Sequence, residues 1–506
     1  MAFYITTPLY YVNDIPHIGH AYCTVMCDIL NRYHKLFGEE TLMLTGTDEH
    51  GQKCEQAASA KGITPQAHCD SMAPNFKKVW DEFNISYDIF FRTTDNFHKE
   101  SVQKALQDLF DKGEIYEATY EGWYSVSEEI FYTEKEIVDG KSPTGKPVSK
   151  ISEKNYFFKM SKYQQRLIAH INDNPGFIRP ESRKNEVLGF LKKDLTDLCI
   201  SRPKERMGWG IEIPFDKDYV TYVWFDALLN YATGIGYNQK EKSEAFKKWW
   251  PVANHVVGKD ILTTHAVYWT TMLMALEVPL PKSIFAHGWL LNKSNEKMSK
   301  SEGDVINPMD FKDIVDIDPL RYYFARDIHF GNDSPISKDI IFNRLNNELS
   351  NNLGNLLSRT TNLITKFYDG KLVKKINTSD ETVKKLMALC KDLPELVKKD
   401  INDFKPSYAI EHIINVLNEC NRYLEETAPW KLAKTDTDAA AEVLYVALEI
   451  LRICSGLLYP VMPSKVIALY ETLGLKEVTW DKLCQFDVLT DGQSISKATP
   501  LFPRLQ

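Results

Sequence analysis

The sequence predicts an α/β protein in which a parallel sheet is split by an inserted α+β module and followed by an α-helical bundle. Three observations carry this reading. Short apolar runs alternate with helical periodicity near the N-terminus, an aromatic and β-branched stretch interrupts that alternation, and strand signals vanish after about Ser334. At 506 residues the chain exceeds what one hydrophobic core organises, so two to four domains are expected.

Phe3 to Thr7 is short and apolar, Ala21 to Phe37 has helical periodicity, and Thr41 to Thr45 is a second buried strand ending at Gly46. That order is a βαβ unit, the opening of a Rossmann-like sheet. Ligands collect at the carboxyl ends of such strands, and both His17-Ile18-Gly19-His20 and Gly46-Thr47-Asp48-Glu49-His50 fall there. Neither a Gly-x-Gly-x-x-Gly nor a P-loop lysine motif accompanies them, which disfavours dinucleotide oxidoreductases and P-loop ATPases. From about Tyr116 to Asp216 the pattern changes to short aromatic pieces such as Asn155-Tyr156-Phe157-Phe158 and a helix over Ser161 to Asn172. The alternation resumes at Tyr219–Val223, His255–Gly258 and Ser283–Ala286. In the last third, Leu353, Leu356, Leu357, Thr360, Ile364 and Phe367 mark one apolar helix face, with similar stripes around 383–397, 410–424 and 443–458. The expected division is therefore a catalytic domain from 1–115 and 217–333, an inserted domain over 116–216, and a helical domain over 334–506.

Charge and cysteine usage bound the partners. Lys+Arg 61 against Asp+Glu 69 gives a net charge of -8, so any nucleic-acid contact is local and not the work of a global basic field. Nine scattered cysteines without a Cys-x-x-Cys pair favour reduced thiols in a cytoplasmic compartment. No basic leader precedes Phe3 and no stretch is apolar enough to span a bilayer, so the protein is expected to stay where it is made.

Two motifs in order suggest the chemistry. His17 and His20 stand three apart at the start of a helix, sharing a face, with Gly19 leaving room for a nucleotide. A helix N-terminus favours anions, and imidazoles there can donate to phosphate oxygens. Taken alone, the histidines could equally cap the helix or pack against Tyr11. Lys297 and Lys300, in Lys-Met-Ser-Lys-Ser, lie in a polar, glycine-containing stretch expected to close over triphosphate as a loop. Together these point to adenylation of a carboxylic acid by ATP. Trp224, Ala227, Leu228 and Tyr231 form one helix face and Ile261, His265 and Trp269 another, which could be core packing or the walls of an apolar pocket suited to a thioether.

These residues resemble the class I aminoacyl-tRNA synthetases, specifically the methionyl-tRNA synthetase family. The likeness runs through Thr6–Asn13, Gly46–Gly51, Tyr222–Ala227, Val257–Ile261 and Lys297–Ser301 in the proper order. It implies that Asp48 pairs with the amino group of methionine, while Leu9, Tyr11, Trp224, Ala227, Tyr231, Ile261, His265 and Trp269 enclose its side chain. It further implies that His17, His20 and Gly19 contact ATP, that Gly258 and Asp260 hold the nucleotide, and that Lys297 and Lys300 stabilise the transition state, with Mg2+ accompanying ATP. The partner implied is tRNA(Met) with its CAU anticodon, read by Asn355, Arg359 and Trp430 in a helical anticodon-binding domain. Relatives often carry a cysteine-based zinc knuckle in the insertion, whereas the stretch here reads Tyr124-Ser125-Val126-Ser127-Glu128, so no structural zinc and no metal ligands are expected. The chain stops at Gln506 without the dimerising domain of some relatives, and the expectation is a monomer. The rivals are a class I synthetase for leucine, isoleucine, valine or cysteine, and a catalytically silent RNA-binding paralogue.

Overall fold

Six strands make one parallel sheet, buried along its centre: β1 (Ala2–Tyr11), β2 (Glu40–Asp48), β3 (Ile89–Arg92), β4 (Ile178–Arg179), β5 (Ala253–Gly258) and β6 (Ser283–His287). Their order is β3-β2-β1-β5-β6-β4. Near-continuous apolar runs such as Tyr4-Ile5, Val256-Val257 and Ile284-Phe285-Ala286 suit a sheet covered by helices on each side. The computed structural model describes residues 2–506 except 126–129, 133, 240–242, 293–295, 297–308 and 310–314.

From β1 the chain first winds towards β2 and β3, and later resumes on the other side with β5 and β6. This reversal opens a crevice at the carboxyl end of β1, the usual place for a ligand in such a fold. Strand β1 is longer than the apolar run Phe3 to Thr7 suggests. It pairs with β2 through Thr6 and again from Leu9 to Tyr11, with a register shift across Thr7-Pro8, where proline has no N–H to give the ladder. The helix α1 (Ile18–Leu36) follows and packs under the sheet.

The segment expected as an insertion is not wholly separate. Its core is an antiparallel sheet in which Ile115–Ser125 pairs with Ser149–Phe158, flanked by Ile130–Tyr132 and Leu198–Cys199. Inside the same segment, however, β4 returns to the main sheet beside β6, through Ile178 against Ile284 and Arg179 against Phe285. Two residues are too few for any periodicity to announce a strand. The helix α2 (Val223–Thr233) then re-enters the α/β domain.

Helix α3 (Ile317–Asp327) leads into the bundle, whose main helices are α4 (Asn355–Phe367), α5 (Glu381–Asn402), α6 (Pro406–Thr427), α7 (Thr437–Leu457) and α8 (Pro463–Thr472). The leucine stripe is buried as its period requires: Leu353, Leu356, Leu357, Thr360 and Ile364 all face the core, and Phe367 is half-buried at the helix end. Arg321 on α3 is fully buried where the domains meet. Its guanidinium donates to the carbonyls of Phe83, Pro460 and Val461 and pairs with Asp28 of α1 at 2.6 Å. Tyr33 of α1 also reaches the bundle, donating to the Leu457 carbonyl at 2.9 Å.

Candidate active site

At the carboxyl ends of β1, β2, β5 and β6 lies a cavity of about 440 Å³. Strand β1 supplies Leu9 and Tyr11, the start of α1 supplies His17, Gly19 and His20, and β2 ends at Asp48. Helix α2 contributes Trp224, Ala227 and Tyr231, and β5 with its following turn contributes Gly258, Asp260, Ile261 and His265. The fold thus brings thirteen residues singled out from the sequence to one cavity.

The helix start is built by the histidines themselves. The Gly19 N–H donates to His17 Nδ1 at 3.1 Å, and the His17 N–H donates to His20 Nδ1 at 3.3 Å, a reciprocal cap. The rings stack with centroids 3.6 Å apart. Because each Nδ1 accepts a hydrogen bond, the neutral ring carries its proton on Nε2 and can still donate there. Burial, reinforced by His17, pushes the His20 pKa well below the usual histidine value, so His20 is a neutral donor at physiological pH. Helix capping therefore engages Nδ1, so it does not compete for a nitrogen with the phosphate donation posed as its alternative on sequence grounds. A Cβ on Gly19 would sit 3.0 Å from Cε1 of His17, so glycine keeps that ring in place. One on Gly258 would lie 2.5 Å from Asp260 Oδ1, which accepts from Trp289 Nε1 at 3.3 Å.

The apolar wall is oriented by buried polar bonds. His265 Nδ1 donates to the Ile261 carbonyl at 2.8 Å, which fixes the tautomer and leaves Nε2 to accept from the Tyr231 hydroxyl at 2.8 Å. Burial drives the His265 pKa down to about 4, although the Ile261 carbonyl works the other way. Tyr231 stacks on His255 at 4.3 Å, and His255 bonds to Thr6 Oγ1 at 2.9 Å. Trp269 stands behind Tyr231, with ring centroids 6.2 Å apart. It is fully buried and donates to His255 Nε2 at 3.4 Å. Thr264–Trp269, which carries both His265 and Trp269, is a π-helical stretch.

Asp48 is almost fully buried, in a segment held from below. Glu49 accepts from Thr47 Oγ1 at 2.8 Å and from Arg92 Nε at 2.7 Å. His50 Nδ1 meets one oxygen of Asp226 at 2.6 Å while His98 Nε2 meets the other at 2.8 Å. Burial acts to raise the Asp226 pKa, yet the two imidazoles hold it below the usual carboxylate range. This buried bridge ties the Asp48 segment to α2. Sequence reasoning missed it, since partners 176 and 128 residues apart leave no local pattern. It also missed Asn230, Cys23, His287 and Trp289, which share the lining. Lys297 and Lys300 lie outside the described residues, as do Val126–Glu129 of the segment that raised the zinc question. Among the described residues no three histidines, cysteines or carboxylates gather as a metal site.

A second constellation forms on the bundle. The Arg359 guanidinium lies 4.8 Å over the Trp430 ring and pairs with Glu425 at 2.6 Å. Asn355 is exposed one turn before Arg359 on α4. An amide, a guanidinium and an indole thus share one surface.

The model described as "tRNA synthetases class I (M)" matches residues 3–150 and 139–361, and that for the "Anticodon binding domain of methionyl tRNA ligase" matches 378–506. The methionine–tRNA ligase of Clostridium acetobutylicum is 46% identical, with 99% of this chain and 78% of that protein covered. That of Rickettsia conorii is 44% identical, with 100% and 99% covered. The solved structure of Mycobacterium tuberculosis methionyl-tRNA synthetase in complex with methionyl-adenylate is 38% identical, has a TM-score of 0.94, and covers 99% of this chain and 100% of that one. The chain therefore belongs to the methionyl-tRNA synthetase family of class I aminoacyl-tRNA ligases.

Proposed function

We propose that this chain is a methionine–tRNA ligase that activates L-methionine with ATP and transfers the methionyl group to the 3′ end of tRNA(Met), and that the cavity at the β1 crevice performs the first step. The observation that carries the proposal is the meeting, in one cavity, of two Nε2–H imidazoles at a helix N-terminus with an aromatic apolar wall and a buried carboxylate.

In this reading Asp48 takes the α-ammonium group, and Leu9, Tyr11, Trp224, Ala227, Tyr231, Ile261 and His265, with Trp269 behind Tyr231, surround the thioether side chain. A neutral His265, kept so by burial, asks for an uncharged side chain. His17 and His20 donate from Nε2 to phosphate oxygens, and Gly258 and Asp260 border the nucleotide. The methionine carboxylate attacks the α-phosphorus in line, the bond to the bridging oxygen breaks, and pyrophosphate leaves. Charge builds on the departing phosphates, where the histidines and the motif lysines Lys297 and Lys300 supply compensation. Magnesium enters on the triphosphate as part of the substrate. A ribose hydroxyl of the tRNA terminus then attacks the adenylate carbonyl, releasing AMP.

The segments divide the labour: 1–115 with 217–333 carry the chemistry, 116–216 apart from β4 forms the inserted domain, and 334–506 meets the anticodon CAU through Asn355, Arg359 and Trp430. Arg359 on Trp430 is a stacking platform with a polar edge, which is what an unstacked base needs. No described helix is long and apolar enough to cross a membrane, and the cytoplasm is the compartment proposed. The acting species is taken to be a monomer, which sedimentation at working concentration checks.

Amino-acid-dependent exchange of pyrophosphate into ATP across a panel of amino acids is the decisive experiment. Exchange with methionine is expected. A leucine signal in its place would overturn the substrate assignment, and tRNA binding without any exchange would select the silent paralogue.

A further inference from the structure

Beneath the Asp48 segment two thiols face each other. Cys54, on the helix Gln52–Ala60, and Cys69, on the helix Pro65–Glu82, have their sulfurs 3.3 Å apart. Cys54 keeps 4% exposure and Cys69 none, so one thiol is nearer to solvent and the other sits behind it. Cys69 also reaches the Glu49 carbonyl at 3.5 Å, and that carbonyl accepts the indole N–H of Trp209 at 2.5 Å. Glu49 directly follows Asp48.

We propose that Cys54 and Cys69 are a redox-modification site, converted by a hydroperoxide into a disulfide that disturbs the Asp48 segment and so weakens methionine binding. The second clause rests on the role proposed for Asp48; the first does not.

Cys69 has one S–H and two acceptors within reach, the Glu49 carbonyl and the Cys54 sulfur. When it turns to Cys54 it stabilises a thiolate there, and the hydrogen bond from Cys69 is the chief cause of the lowered Cys54 pKa. In the first step the Cys54 thiolate attacks the outer peroxide oxygen. An S–O bond forms, the O–O bond breaks, and the alkoxide or hydroxide takes up a proton. In the second step the Cys69 sulfur attacks the sulfenic sulfur. The S–S bond forms, the S–O bond breaks, and hydroxide leaves with the thiol proton as water. Two thiols and one hydroperoxide thus give one disulfide, one alcohol or water, and a further water. A disulfide needs its sulfurs at roughly 2.05 Å, about 1.2 Å closer than they stand, and closure removes the S–H that Cys69 offers to Glu49. Both changes bear on the residue next to Asp48.

The test uses the full chain with the exposed Cys484 changed, Cys484→Ser, so that intermolecular linkage does not interfere. Hydrogen peroxide is added, remaining thiols are capped with iodoacetamide, and peptides are mapped by mass. The expected result is a Cys54–Cys69 cross-linked pair, with methionine KM in pyrophosphate exchange raised on the order of tenfold and ATP KM unchanged. Dithiothreitol should restore the KM, and Cys69→Ala should abolish both effects; Cys54→Ser serves if the alanine variant folds poorly. If both cysteines stay open to alkylation after peroxide, the modification site is refuted. Should the cross-link form with methionine KM unmoved while Asp48→Ala raises it, the coupling to the Asp48 segment is refuted. An Asp48→Ala variant with unchanged methionine KM would instead count against the proposed function, and the peptide map would still decide the cross-link.

Discussion

Tyr231 shows how a single hydroxyl sets the character of the wall around it, since it donates a hydrogen bond to His265 while its ring rests on His255. Tyr231→Phe leaves the His265 Nε2 without its donor, at a cost of about 1–2 kcal/mol, and should raise methionine KM in exchange roughly tenfold with kcat little changed. Gly19→Ala pushes a Cβ to 3.0 Å from the His17 ring, so kcat for exchange should fall on the order of tenfold or more while methionine KM holds. The buried imidazoles also predict a pH response. His20, His255 and His265 have folded pKa values below the unfolded one, so the unfolded chain binds more protons as pH falls through about 6.5 towards 4. Stability is complete above pH 6.5 and declines through that window. The urea midpoint should drop accordingly, with His265 alone accounting for on the order of 3 kcal/mol, and His265→Asn should flatten the slope. The histidine motif, the acid at the end of β2 and the aromatic face were legible in the sequence because each is a short local pattern. The tautomers, and the partners that fix them, were not, because hydrogen bonds such as Thr6 to His255 join residues 249 apart.

Among the elements, α2 and the Gly46–Gly51 segment depend on one another through the bridge of His50, Asp226 and His98. Asp226→Ala would strand two buried N–H groups, so a loss of about 3 kcal/mol in unfolding free energy is expected, together with a raised methionine KM. Chemical denaturation and exchange kinetics on one preparation measure both, and a stability loss with unaltered KM would confine the bridge to a structural role. Elements with long periodicity, such as α1 and the leucine stripe of α4, were readable; their limits were less so. α1 begins at Ile18 with His17 as its cap, one of the two readings the histidine motif allowed, although histidine is not a usual cap residue. Strand β4 escaped notice at two residues long.

On the scale of the whole molecule, Arg321 is the joint between the α/β domain and the bundle, bonding to the chain at Asp28, Phe83, Pro460 and Val461. Arg321→Met removes a buried cation that Asp28 answers, and a loss of about 3–5 kcal/mol in unfolding free energy is expected, read as a lowered Tm. That joint also has a mechanical meaning. Helix α1 is a stiff rod whose first turn bears His17 and His20 and whose middle, at Asp28, is gripped by α3 and the bundle. Eight residues separate His20 from Asp28, a lever arm of about 12 Å at ~1.5 Å per residue, so tilting the rod by roughly 5° about its grip swings the histidine by about 1 Å. A displacement of that size is enough to change a catalytic rate about a hundredfold. On the roles proposed for His17 and His20, the bundle would thus act as a clamp, its hold on the rod setting how steadily those histidines are aimed.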